Sequence, residues 1–167
     1  AGLEKYIHEL RNDLNDNNKE LLIVDSGNFF QGHPLGIVDS GRTVIEWMNK
    51  IGYDALVPGE YDFILGYKNL LSLSEIANFS FVASNLIYQD TKENVFDPYI
   101  IIEINGKKIG ILGIIPSNLD ELIPNIDNID IEIVSEISSL NKWIPEIRNE
   151  DVNAIIILSS LGIPYDR

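Results

Sequence analysis

The chain has 167 residues, 45% of them apolar, with 12 basic against 26 acidic side chains, a formal charge of −14 and no cysteine. That length buries one core, and the missing cysteines exclude disulfide frameworks, thiolate metal sites and cysteine nucleophiles. The acidic balance leaves no clustered Lys and Arg to displace counterions from a nucleic acid, and it repels anionic substrates at long range unless metal ions reverse the local field.

No run approaches the ~18–20 consecutive apolar residues of a membrane span, so none is expected. The opening "AGLEKYIHEL" lacks the basic-then-apolar order of a signal peptide. Leu3, Tyr6, Ile7, Leu10 and Leu14 recur at helical spacing, and residues 2–18 read as an amphipathic helix. "LLIVDSG" (21–27) has the pattern of a buried parallel strand ending in turn residues. "GRTVIEWMNKIG" (41–52) reads as a helix ended by Gly52, and "DALVPG" (54–59) as the next strand. A helix over 67–78 leads to the buried strand "FSFVASN" (79–85).

"PYIIIEI" and "KKIGILGII" flank Asn105-Gly106, a pair suited to the positive φ angles of a type I′ turn, which predicts a hairpin. The Ile/Asp/Asn-biased stretch at 123–133 reads as a loop entering a strand at 130–134. The helix predicted over 135–150 contains Pro145, expected to kink it or end it early. "NAIIILSS" (153–160) closes the series as a fully buried strand. Alternating strands and helices specify an α/β layered fold with parallel strands and one antiparallel hairpin. Ligands in open α/β sheets sit beyond the carboxyl ends of the strands, here 25–31, 58–64, 84–85 and 159–162.

Three strings fall at those ends and one leads into the second strand; in order they are "DSGNFFQGHP" (25–34), "MNKIGYDA" (48–55), "GEYDFI" (59–64) and "LSSLG" (158–162). They resemble the 5′-nucleotidase family of calcineurin-like metallophosphoesterases, whose motifs read D-A-G-D-x-x-Q-G-(S)-P, M-N-x-x-G-Y-D-A, G-N-H-E-F-D and L-S-H-x-G. Asn85 in "ASN" and the "GKKIGILG" strand (106–113) are similar too. The resemblance implies an α/β, metallo-dependent phosphatase-like layered β-sandwich flanked by helices, with mixed sheets. It gives scaffold roles to Gly27, Gln31, Gly32, Pro34, Met48, Asn49, Gly52, Tyr53, Asp54, Ala55, Gly59, Phe63 and Gly162.

The family's chemistry uses two divalent ions about 3.5–4 Å apart, which clamp the phosphoryl group while a metal-bound hydroxide attacks in line. By resemblance, Asn28 stands where the family has its bridging Asp, and a neutral amide supplies no anionic bridge. Glu60 replaces an Asn ligand and is the one substitution still able to bind a metal. Tyr61 replaces the catalytic His, and its phenol, with a reference pKa near ~10, is a poor substitute for imidazole. Ile64 replaces the Asp that orients this His, and Ser160 replaces a His ligand. Loss of a supporting partner alone costs ~10–100-fold in metal affinity or activity. The expectation is therefore a non-catalytic domain, without catalytic or metal-binding residues at the family positions and without a cofactor, serving as a structural or protein-interaction module. The alternative is a metal-dependent phosphohydrolase, of 5′-nucleotidase or cyclic phosphodiesterase type, with a remodelled site.

The same resemblance implies a single domain over residues 1–167, incomplete at both ends. An Asp-x-His-Gly strand is expected before Gly2 and a Gly-His-x-His segment after Arg167, and the family's substrate domain is not among these residues. Another protein segment or subunit is expected to complete the sheet, because "LLIVD" and "AIIILSS" would otherwise present unpaired backbone or exposed apolar faces. The residues themselves leave the compartment unknown; the resemblance implies a periplasmic or extracellular one.

Plainer readings stand beside these. His8 reads as a surface-helix residue and His33 as an exposed loop residue, too scattered for a metal cluster. Asp25, Glu60 and Asp62 are weighed as a hard-cation site of oxygen ligands, against structural roles for Asp25 and Asp62. Trp47 and Trp143 lie at core spacing and read as packing residues. No Gly-x-Gly-x-x-Gly, Walker-type or Gly-x-Ser-x-Gly string supports a nucleotide-cofactor or serine-hydrolase reading.

Overall fold

Three short parallel strands form wherever an apolar run is followed by residues that break the ladder. The computed structural model describes residues 2–29, 36, 38–119, 130–162 and 166. Strands β1 (Val24–Asp25), β2 (Ala55–Leu56) and β3 (Ser80–Phe81) pair in that order, with Val24 opposite Ala55 and Ala55 opposite Ser80. Each is shorter than the run predicted for it. Pro58 has no N–H to continue β2, and Gly27 turns the chain at φ 95° just beyond β1. Asp54 extends the pairing through its side chain, accepting the Ile23 N–H at 2.7 Å.

Helix α1 (Gly2–Asp16) precedes this sheet, and α2 (Arg42–Ile51) and α3 (Tyr67–Ile76) form its crossovers. Helix α1 ends two residues earlier than its periodicity predicts, because Asn18 adopts a left-handed conformation at φ 52°. Its apolar stripe is also narrower than predicted. Ile7 is buried and Leu10 and Leu14 are half-buried, but Leu3 and Tyr6 are 53% and 60% exposed. The Arg11 guanidinium fixes α1 to the end of α2 by donating to the Ile51 carbonyl at 2.9 Å.

A second sheet is built from β5 (Tyr99–Ile104), β6 (Lys107–Ile114) and β8 (Ala154–Ser159), the first pair antiparallel and the second parallel. The hairpin forms as predicted, with Asn105 at φ 49° and Gly106 at φ 67°. Strand β7 (Ile131–Ile133) also forms, and pairs antiparallel with β4 (Leu86–Tyr88), which the sequence reading did not identify. Of the biased stretch before β7, residues 123–129 lie outside the described residues.

Helix α4 (Glu136–Asn149) continues through Pro145, so of the two expected outcomes, a kink or an early end, the early end does not occur. Proline in a helix interior costs about 3 kcal/mol or more. Anchors on both sides offset that cost: Ile147 is fully buried, and Trp143 packs tilted against Tyr99 and donates its indole N–H to the Ser84 carbonyl at 3.2 Å. Strand β8 is not fully buried. It is the outer strand of its described sheet, so only Leu158 is buried and Ile157 is 44% exposed.

The layers follow from alternation along β6. Ile111 joins Leu56, Phe81 and Leu158 in the cluster between the sheets, whereas Leu112 and Ile114 join Ile147 beneath α4. Trp47 packs on the first cluster and Trp143 on the second, as expected. Residues 82–85 cross from one sheet to the other. The Ser84 N–H and hydroxyl both donate to the Gly113 carbonyl, at 2.8 and 2.7 Å. Asn85, fully buried, accepts the Ile115 N–H at 3.0 Å and donates to the carbonyls of Ile115 and Val134.

This crossing leaves no room at Gly113, where an added Cβ would collide with the Val82 carbonyl oxygen. Gly113→Ala should lower unfolding stability by about 2–4 kcal/mol in urea titration, since backbone must move to admit the methyl. A loss below about 0.5 kcal/mol would show that the two sheets are not in close contact here.

Candidate functional site

The carboxyl ends of β1, β2, β6 and β8 converge, and two glycines set how closely. Gly27 and Gly59 pass backbone to backbone, with no space for a Cβ on either. After Gly59 the chain enters a 3-10 helix over Glu60–Leu65. Its third residue, Asp62, turns inward and is fully buried. One oxygen accepts the N–H groups of Asn28 at 2.7 Å and Gly59 at 2.9 Å, and the other accepts that of Phe29 at 3.0 Å. A single carboxylate thus ties the turn after β1 to the turn after β2. Burial pushes the Asp62 carboxyl up to about 7; the three amide bonds oppose the rise and the Asp25 charge adds to it.

Asn28 sits at the centre of this arrangement in a left-handed conformation, φ 60°. Its side-chain oxygen accepts the Tyr61 N–H at 3.0 Å, so the amide is turned back into the loop. Ser160 lies across the gap at the end of β8. Its hydroxyl donates to backbone carbonyls, sharing Pro58 at 3.2 Å and Ile114 at 3.3 Å. Tyr61 and Ile64 are 42% and 52% exposed on the 3-10 helix. The structure therefore brings Asn28, Tyr61 and Ser160 to one mouth, with Ile64 on the same 3-10 helix.

Asp25, Glu60 and Asp62 do not converge on a cation. Asp25 accepts the Gly27 N–H at 2.8 Å, and burial raises its carboxyl above the usual range against that bond. Glu60 instead lines a separate cleft with Glu136. Among the described residues, no three His, Cys, Asp or Glu side chains are grouped to hold a metal ion. His8 is exposed on α1, while Gln31, Gly32, His33 and Pro34 lie outside the described residues. A cleft of about 590 Å³ opens beside the strand ends, between Ser26 and the Ile157–Ser159 edge of β8.

Sequence reasoning named Asp62 as a supporting residue but not its partners. The available signal was an acid three residues after Gly59, the position from which a side chain reaches back to the residue that opens a helix. Glu136 was not identified at all, although "SEIS" has the form of a helix start.

Comparison with known proteins places this geometry. The chain is 31% identical over 118 residues to the snake venom 5′-nucleotidase of Gloydius brevicauda, covering 68% of this chain and 20% of that protein. It is 29% identical over 114 residues to the 5′-nucleotidase of Vibrio cholerae, covering 68% of this chain and 21% of that one. Its fold superposes on the calcineurin-like phosphoesterase YfkN from Bacillus subtilis with a TM-score of 0.80 at 25% identity, covering 96% of this chain and 53% of that one. The chain is a relative of the 5′-nucleotidases among the calcineurin-like phosphoesterases. It spans about a fifth of the length of the two curated 5′-nucleotidases it matches. No family model matches it. The mixed sheets with flanking helices are those of this phosphoesterase fold, as the motifs implied. No helix among the described residues is long and apolar enough to cross a membrane.

The Asp62 bridge gives a stability test. Asp62→Ala removes the side-chain acceptor that three backbone amides share. It should cost on the order of 3–5 kcal/mol in urea unfolding, and Asp62→Asn, which keeps one acceptor oxygen, should cost less. Equal and small losses, under about 1 kcal/mol, would contradict the role assigned to this carboxylate.

Proposed function

We propose that this chain is a non-catalytic member of the 5′-nucleotidase-like metallophosphoesterases, retained as a structural or protein-interaction module within a larger chain or complex. The observation that carries the reading is Asn28. At the position where the family resemblance expects a bridging carboxylate, a neutral amide spends its oxygen on the Tyr61 N–H. Two dications about 4 Å apart repel by roughly 17 kcal/mol at an effective dielectric near 20, so a shared anionic ligand is what makes the pair tenable.

The neighbouring groups support the same reading, because they do not fit a two-metal centre. The Ser160 hydroxyl is directed at the carbonyls of Pro58 and Ile114, and both Asp62 oxygens are taken by amides. Tyr61 offers a phenol in place of imidazole, and Ile64 accepts no hydrogen bond to orient one. The half-exposed strand β8, with Ile157 facing out, supports a single domain whose sheet is completed by another protein segment or subunit.

Turnover assays test the proposal. The protein, supplied with Mn²⁺, Zn²⁺ or Mg²⁺, should hydrolyse neither 5′-AMP, nor 2′,3′-cyclic nucleotides, nor bis(p-nitrophenyl) phosphate above the buffer rate. Hydrolysis that scales with protein and disappears with a chelator would instead favour a metal-dependent phosphohydrolase with a remodelled site.

A further inference from the structure

Beside the strand ends, a second cleft of about 420 Å³ runs between the start of the 3-10 helix and the start of α4. Pro116, Ile137 and Leu161 give it an apolar floor, and Ile137 is 71% exposed. Two carboxylates, Glu60 and Glu136, line it, and no described lining residue is basic. Glu136 is held in place, accepting the Ser117 N–H at 2.7 Å. The adjoining 3-10 helix adds Tyr61, Ile64 and Leu65 as further exposed apolar side chains.

An apolar floor beneath two acids, with no basic side chain among the described lining residues, favours one kind of occupant. A nucleotide or other anion is repelled by both acids and by the net charge of −14. A hard cation wants several oxygen ligands and gains nothing from Ile137 and Leu161. A Lys or Arg side chain satisfies both features at once: its aliphatic stem lies on the floor while its charged head reaches the carboxylates.

We propose that this cleft docks a Lys or Arg side chain of a partner protein, carried on a segment whose neighbouring apolar residue covers Ile137 and Leu161. The inference rests on the non-catalytic reading, because it uses Glu60 as a docking acid and not as a metal ligand. It adds to that reading the site and the chemistry of the partner.

The probe is a fluorescein-labelled peptide Ser-Leu-Arg-Leu-Arg-Leu-Ser, titrated with the 167-residue protein and read by fluorescence anisotropy. Two control peptides replace Arg by Glu or Leu by Gly. Saturable binding is expected for the first peptide, at least about tenfold weaker binding for the Leu-to-Gly peptide, and none for the acidic one. The double variant Glu60→Gln/Glu136→Gln, which keeps an acceptor for Ser117, should weaken binding at least about tenfold, and Ile137→Ser should weaken it severalfold. The remote pair Asp13→Asn/Glu75→Gln, which removes the same charge from exposed positions, should leave it unchanged. Equal weakening by the remote pair would reduce the effect to diffuse attraction by an acidic protein and overturn the proposal. So would absence of binding by the Leu-Arg peptide. If binding fails while turnover is also absent, only the docking inference falls; chelator-sensitive turnover removes the reading beneath it.

Discussion

A buried carboxylate bonded to three backbone amides holds this molecule's strand ends in place. Asp62 links Asn28 and Phe29, beyond β1, to Gly59, beyond β2. Without it, two glycine turns with no side chains to pack would be left with the Asn28–Tyr61 hydrogen bond between them. A buried backbone donor left unpaired costs about 1–3 kcal/mol. Asn85 acts similarly where the chain crosses between the sheets, pairing with Ile115 and Val134 through its side chain. Together these two buried polar residues fix four loop segments that hydrophobic packing alone would leave underdetermined.

The geometry they impose bears directly on chemistry. By holding Asn28 left-handed and against Tyr61, the Asp62 bridge directs the only side-chain oxygen of Asn28 into the protein. Ser160, across the mouth, also faces backbone. A scaffold of the phosphoesterase type is thus compatible with a mouth whose polar groups serve folding. The proposed interaction role draws on what remains there: exposed Tyr61, Ile64 and Ile137, with acids beside them. Fold and function are separable in principle, because a scaffold depends on glycines and buried polar ties while chemistry depends on a few replaceable side chains.

Much of the fold was legible in the sequence because its signals were local. Asn105-Gly106 specifies its own turn, and α2 has a clean period ended by Gly52. What could not be read depends on tertiary context. Strand β4 has only three residues, and nothing in "LIY" announces a partner 45 residues away at Ile131–Ile133. The apolar run of β8 indicates a strand but not whether one side or both are covered. Pro145 reads as a breaker, yet burial of Ile147 and the Trp143 contacts hold the helix together around it. At the site, motif order picked out Asn28, Tyr61 and Ser160, but only the structure shows the Asn28 oxygen on the Tyr61 N–H and the Ser160 hydroxyl on the Pro58 and Ile114 carbonyls. The cleft between Glu60 and Glu136 joins positions 76 apart in sequence, and no spacing rule connects them.

The most direct measurement is a Mn²⁺ titration of the ¹⁵N-labelled protein followed by NMR. A bound paramagnetic ion broadens nearby amides sharply. If the mouth no longer holds metal, the amides of Gly27, Asn28, Gly59 and Ser160 should lose no more intensity than surface amides near scattered acids such as Asp13 and Glu75. Selective disappearance of those four signals at about one or two equivalents of Mn²⁺, reversed by a chelator, would contradict the account and place a metal centre where the polar groups are taken here to serve the fold.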